Sequence, residues 1–168
     1  MAFKDALDGQ ISPFGEECFL LMERPMRLTL HTDYSLRVLM YLATFPDRLA
    51  TAEQIAGAYG ISHHHISKVV QRLSRFGFVE TLRGRKGGIR LALAPEHISV
   101  GAVVRATEED FDLVECFRSK TECCITPVCR LQGALSDALE AYLEVLDAWT
   151  LSELASSRTA LARRLGAH

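Results

Sequence analysis

Residues 61–93 read ISHHHISKVVQRLSRFGFVETLRGRKGGIRLAL. Ser62 places a side-chain acceptor just ahead of an amphipathic run, which predicts the N-cap of a helix. Inside that run Ile66, Val69, Val70 and Leu73 recur at helical spacing and form one inward stripe, and Gly77 can close the helix. FVETL and IRLAL then have the composition of strands, and RGRKGG between them suits a glycine-containing hairpin tip. A basic helix followed directly by a hairpin predicts a winged helix.

The segments on either side agree with that reading. Upstream, Thr51 and Gln54 form a capping box for the helix AEQIAGAY, and Gly60 can end it in the left-handed conformation. Two short helices across the turn GIS make a helix-turn-helix. Ahead of them a helix is expected from Asp33, with Leu36, Leu39, Met40 and Ala43 inward, stopping before Pro46. Downstream, Ser99 starts the short helix VGAVVRAT. A long helix is expected from about Pro127, where Thr126 would be the N-cap, to Trp149. Its stripe is Leu131, Leu135, Ala138, Tyr142, Leu146 and Trp149, and Leu139 and Leu143 widen it or begin a second one. Thr150 and Glu153 form a second capping box before a last short helix. The expected fold class is mainly α with a small β-hairpin, a winged helix-turn-helix plus a long C-terminal dimerisation helix. Four regions follow: residues 1–25 as a flexible extension ahead of Met26, 26–107 as the winged unit, 108–129 as a cysteine-bearing loop, and 130–168 as the dimerisation helix and C-terminal segment.

With 48% apolar and 24% charged residues in 168, the chain has the balance of a globular protein. Its net charge is only -2, so any surface for nucleic acid must be local. Such a surface lies in residues 62–90, where Lys68, Arg72, Arg75, Arg83, Arg85, Lys86 and Arg90 face the single acid Glu80. Clustered cations of this kind suit phosphate contact with release of counterions. The candidates against base edges are His63, His64, His65, Ser67 and Lys68 at the start of the second helix, followed by Arg72. Arg83, Arg85 and Lys86 would act from the hairpin tip. A basic helix alone is equally a solvated face; the order helix, turn, helix and basic glycine-tipped hairpin favours DNA. Three consecutive histidines on a helix point about 100° apart, so they do not converge on one ion. The chain has no apolar run of the roughly 18 residues a membrane span needs. The first residues carry Lys4, Asp5, Asp8, Glu16 and Glu17, unlike a secretory signal. A cytoplasmic protein with reduced thiols is therefore expected. No glycine-rich phosphate loop, Ser/His/Asp set or pocketed carboxylate pair suggests an enzyme.

Residues 115–132 read ECFRSKTECCITPVCRLQ and hold Cys116, Cys123, Cys124 and Cys129; Cys18 stands apart and takes no role. Cysteines packed this densely outside any apolar stripe suit thiolate ligands for zinc or an iron–sulfur cluster. The spacings are six residues from Cys116 to Cys123, five from Cys123 to Cys129 and four from Cys124 to Cys129, none of them a C-x-x-C knuckle. Long irregular gaps fit a loop folded around a bulky object. With Thr126 as cap, Cys129 would sit at the third position of the long helix, where the helix dipole favours a thiolate. Adjacent cysteines are poor joint ligands, which leaves three thiolates and a fourth ligand that residue chemistry does not name.

Taken together, MRLTLHTDYSLRVLMYLA, GGIRL and CCITPVCRLQGALSDALEAYLEVLDAWTLSEL resemble the NsrR repressors, relatives of IscR among iron–sulfur winged-helix regulators. The resemblance covers residues 26 to about 155. It implies a homodimer that binds a double-stranded DNA operator and represses nitric-oxide detoxification genes until nitric oxide attacks its cluster. Carried onto this chain, it implies Cys116, Cys123 and Cys129 as ligands, with Cys124 at the variable neighbouring position. It further implies that Asp33, from the H-T-D stretch, completes the set in the partner subunit. A [4Fe–4S] cluster is expected ahead of [2Fe–2S]. Two other readings stay open: an iron- or redox-responsive [2Fe–2S] regulator, and a DNA-binding module with a structural zinc site.

Overall fold

The computed structural model of the chain describes residues 27–84, 87–117 and 123–166. The expected N-terminal extension, the tip residues Arg85 and Lys86, and residues 118–122 of the cysteine loop lie outside the described residues. Helix α1 (Leu30–Thr44) starts earlier than the apolar pattern predicts, because Thr29 caps it by accepting from the Thr32 N–H. Its first turns hide polar residues. Thr32 and Ser35 are fully buried, and the Ser35 hydroxyl donates to the His31 carbonyl at 2.8 Å. That internal bond lets a serine occupy the core and interrupts the apolar period. The inward face is consequently Val38, Leu39, Tyr41, Leu42 and Ala43, with Leu36 and Met40 half-buried at its edge.

Helix α2 (Ala52–Tyr59) opens on the full Thr51–Gln54 capping box and ends at Gly60, whose φ of 65° is left-handed. Ser62 caps α3 (His63–Arg75), accepting from the His65 N–H, and Ile66, Val69, Val70 and Leu73 form its buried stripe as predicted. Strands β1 (Val79–Leu82) and β2 (Gly88–Leu91) pair antiparallel with Glu80 opposite Arg90. Ala50 pins this wing to the body: its N–H donates to the Ile89 carbonyl at 3.1 Å, and the Ile89 N–H returns the bond at 2.7 Å. The approach requires glycine at Gly88, where a methyl would lie 2.7 Å from the Leu49 Cβ.

After a 3-10 turn (Pro95–His97), Ser99 caps α4 (Val100–Thr107). The chain then runs irregularly through 3-10 turns at Glu115–Phe117 and Thr126–Val128 before α5 (Leu131–Asp147). Here the structure corrects the sequence reading. The Thr126 hydroxyl donates backwards to the Cys123 carbonyl at 2.8 Å instead of capping a helix. The turn ends at Cys129 in extended backbone, and Arg130 precedes α5. Cys129 therefore lies just ahead of the long helix, before its cap Arg130, and not at its third position. Helix α6 (Leu151–Leu154) carries the Thr150–Glu153 capping box, and α7 (Arg158–Leu165), which the sequence reading did not anticipate, lays Leu161 and Leu165 against the core.

One core joins α1, α2, α3, the wing, α4 and α6 through Leu39, Ile55, Ile66, Leu73, Val79, Ile98, Val103 and Leu151. Helix α5 stands outside it and buries no residue completely. Its apolar positions form two stripes, one of the two arrangements the sequence allows. Leu135, Leu139, Leu143 and Leu146 are half-buried, while Leu131, Ala138, Tyr142, Val145 and Trp149 are exposed. At its C-terminal end α5 is fastened to α4. The Arg105 guanidinium bonds both Asp147 oxygens at 2.6 and 2.7 Å, and the Val100 N–H donates to the Trp149 carbonyl at 2.8 Å. Among the described residues no helix is long and apolar enough to cross a membrane.

Candidate nucleic-acid interface and cysteine site

The capped N-terminus of α3 exposes His63, His64 and His65 to solvent, with Lys68 one turn further on and Ser67 half-buried. The histidines diverge: His65 turns toward Tyr34 of α1, with ring centroids 6.1 Å apart. Lys68 continues the exposed face as Gln71 and Arg75. Arg72 departs from that face. It is half-buried, lies against the Phe76 ring with its guanidinium carbon 5.8 Å from the centroid, and reaches toward the Ala106 carbonyl at 3.5 Å. On the wing, Arg90 is removed from the free charge by Glu80 across the ladder, at 2.7 and 2.9 Å. Arg83 remains exposed at the entry to the tip, where Gly84 adopts φ 111° and the Gly87 N–H donates to its carbonyl at 2.9 Å. Arg85 and Lys86 lie outside the described residues. The result is an exposed helix end flanked by a glycine-built arm, dimensions and chemistry that suit a DNA groove and its phosphates.

Asp33 lies in the opening turns of α1 and is held by Arg37, which bonds Oδ1 through Nε at 3.0 Å and Oδ2 at 2.8 Å. That hydrogen bond also raises the Arg37 pKa above its ordinary value. The same guanidinium lies 6.0 Å from the Tyr34 ring centroid and 5.9 Å from that of Tyr59. Burial pushes the Tyr59 hydroxyl up to about 12, so it stays protonated. Asp33 thus sits between α1 and α2, on the helix-turn-helix body. The acid-rich segment after α4 begins beside it: Glu108 accepts from the Thr29 N–H at 2.8 Å and from its hydroxyl at 3.2 Å.

Cys116 and Cys129 are half-buried, whereas Cys123 and Cys124 are exposed. Two polar side chains tie this loop together. Gln132, in the first turn of α5, donates to the Cys116 carbonyl at 3.0 Å, and Thr126 fixes the carbonyl of Cys123. The donors are of the right kind for a soft metal or an iron–sulfur cluster, and their accessibility fits a loop that closes over a bulky group. Among the described residues no three His, Cys, Asp or Glu side chains stand together as a metal-binding group. A single chain therefore does not gather Asp33 and these thiols at one point among those residues.

Residues 28–157 match the Rrf2 family, described as an iron-dependent transcriptional regulator. The chain is 52% identical over 138 residues to the HTH-type transcriptional regulator NsrR of Halalkalibacterium halodurans, an alignment covering 81% of this chain and 94% of that one. It is 51% identical over 142 residues to the regulator of the same name from Bacillus subtilis, covering 83% of this chain and 97% of the relative. Among solved structures it resembles CymR, the global cysteine regulator of B. subtilis, with a TM-score of 0.61 and 27% identity across 79% of this chain and 98% of that one. The fold is shared with T. potens IscR at a TM-score of 0.63 and 22% identity, covering 79% of this chain and 88% of that one.

Proposed function

Because the chain belongs to the Rrf2 family of transcriptional regulators, we propose that it is a homodimeric, cytoplasmic DNA-binding repressor whose operator affinity depends on an iron–sulfur cluster sensitive to nitric oxide. The observation that carries the DNA reading is the Ser62-capped helix end with His63, His64, His65, Ser67 and Lys68 beside the wing that bears Arg83, Arg85 and Lys86. The first group would meet base edges and the wing cations phosphates. Arg72 would act from the side of the helix.

The cysteine loop supports the sensing part. Cys116, Cys123 and Cys129 would hold the cluster, with Cys124 the alternative to Cys123, and the partner's copy of Asp33 would complete the set. When bound, the cluster supplies a centre that reacts with nitric oxide; [4Fe–4S] is favoured over [2Fe–2S] by the NsrR likeness. Engaging Asp33 from a second chain requires the carboxylate to loosen from Arg37. Ligation would then connect the loop of one protomer to the helix-turn-helix body of the other. The exposed stripe Leu131, Ala138, Tyr142, Val145 and Trp149 of α5 supplies an apolar face for the dimer.

The test is purification without oxygen, absorption and resonance Raman spectra, titration with nitric oxide, and binding to DNA selected from a random duplex pool. Expected are cubane-type spectra that bleach under nitric oxide as the selected DNA is released. A stable [2Fe–2S] spectrum would replace the nitric-oxide reading with an iron- or redox-responsive one. Colourless, zinc-loaded protein that binds DNA regardless of iron and sulfide would defeat the sensing reading.

A further inference from the structure

A cleft of about 420 Å³ opens between the first turn of α1 and the C-terminal half of α3, lined by His31, Lys68, Gln71, Arg72, Arg75 and Phe76. Its lining is one-sided in charge: three permanent cations, a histidine, an amide and an aromatic ring, with no carboxylate. Among the described residues neither Lys68, Arg72 nor Arg75 forms an ion pair; the pairs there are Arg37–Asp33, Arg90–Glu80 and Arg105–Asp147. The His31 ring belongs to the lining, and its Nε2 is buried without a hydrogen-bond partner. Glu108 and Glu109 act on His31 electrostatically from outside the lining, where Glu108 also accepts from Thr29. Cations gathered with no ion-pair partner repel one another. An anion with several acceptor oxygens relieves that repulsion.

We propose that this cleft is an oxyanion site that takes one phosphate group. Arg72 and Arg75 supply guanidinium donors, Lys68 a point charge at the mouth and Gln71 an amide donor, with the His31 ring forming part of the wall. Guanidinium groups match phosphate oxygens in pairs, which suits two arginines on one wall. Phosphate chemistry has two sources here, a backbone phosphodiester of bound DNA or a free phosphorylated small molecule. Lys68 belongs both to the cleft and to the face presented to DNA, so a free anion in the cleft would compete with DNA. The cleft itself does not rest on the DNA reading; only the first source does.

The experiment uses the full-length, cluster-loaded protein. Inorganic phosphate is titrated calorimetrically at constant ionic strength against a chloride control, for the parent chain, Arg75→Gln and Arg72→Gln. In parallel, the salt dependence of affinity for pool-selected DNA is measured for all three. Arg75 is exposed, so its replacement leaves the core intact. Phosphate binding that weakens about tenfold in either variant, equivalent to about 1.4 kcal/mol, supports the site. A log–log salt slope shallower by about one unit in the variants identifies the occupant as a DNA phosphate. An unchanged slope, with phosphate competing against DNA, identifies a free anion. Arg75-dependent phosphate binding by a protein that binds no DNA would keep the cleft and defeat the DNA reading. Phosphate binding indifferent to both arginines, or no phosphate binding with unchanged salt slopes, would overturn the proposal.

Discussion

Gly101 is a buried position on α4 where an added methyl would meet the Asp147 carboxylate of α5 and, at 2.9 Å, the Arg105 guanidinium. Alanine is ordinarily preferred over glycine inside a helix by about 1 kcal/mol. The ion pair that glycine accommodates is partly exposed and screened by solvent, so it opposes that preference only weakly. The two effects act against each other, so Gly101→Ala should stabilise less in the parent chain than helix preference alone predicts. With Asp147→Ala already present it should stabilise by about 0.5–1 kcal/mol. A double-mutant cycle from urea unfolding measures the difference, and equal effects in both backgrounds would show that the methyl and carboxylate do not compete. The pair also titrates. Hydrogen bonds from Arg105 hold Asp147 below its ordinary 3.8, and those from the Thr150 backbone and hydroxyl hold Glu153 below 4.5. A carboxylate lowered by folding contributes stability that is present above its unfolded value and lost as the pH falls through the folded one. Stability should thus decline as the pH drops below about 5, less steeply in Asp147→Asn. Parallel pH profiles for the two proteins would remove the pair from the account.

At the scale of elements, what could be read from the sequence was local chemistry. The boxes Thr51–Gln54 and Thr150–Glu153 and the caps Ser62 and Ser99 involve groups three residues apart, so composition nearly determines them. Ser62→Ala should accordingly cost about 1 kcal/mol, seen in thermal unfolding, and should loosen the helix end that carries the three histidines. An unchanged melting temperature would mean that neighbouring packing alone sets this terminus. The misread starts have a common cause. Thr29, Ser35 and Thr126 each had a choice of backbone partner: Thr29 capped a helix the apolar pattern began too late, Ser35 bonded back to His31 and entered the core, and Thr126 bonded back to Cys123. Sequence lists such hydroxyls without saying which backbone group they will satisfy. Helix α7 escaped notice because only Leu161 and Leu165 pack inward among arginines. The cysteine loop was legible as chemistry, since thiol density needs no coordinates. The cleft beside α3 was not, because it requires His31 and Arg75 to meet across two helices.

At the scale of the whole molecule the proposed dimer depends on the exposed stripe of α5. Val145 is 61% exposed and Trp149 49%, on a helix with no fully buried residue. Val145→Glu should leave the core folded and raise the dimer dissociation constant at least about tenfold, or about 1.4 kcal/mol, in sedimentation or light scattering. An undisturbed dimer would place its interface elsewhere. Cys129→Ala should yield folded, colourless protein that no longer represses a reporter; continued repression relieved by nitric oxide would sever the loop from the signal.

The fastening of α5 has a mechanical corollary. Bonds at Val100–Trp149 and Arg105–Asp147 make a fulcrum at one end, and the cysteines lie just beyond the other. A rigid rod of this length spans about 25 Å. Swinging it by about 10° carries the far end through about 4 Å, comparable with the thickness of a stacked base. A rearrangement of the thiols on that scale therefore reaches the α4 joint as a turn of only about 10°, small enough to leave the core undisturbed.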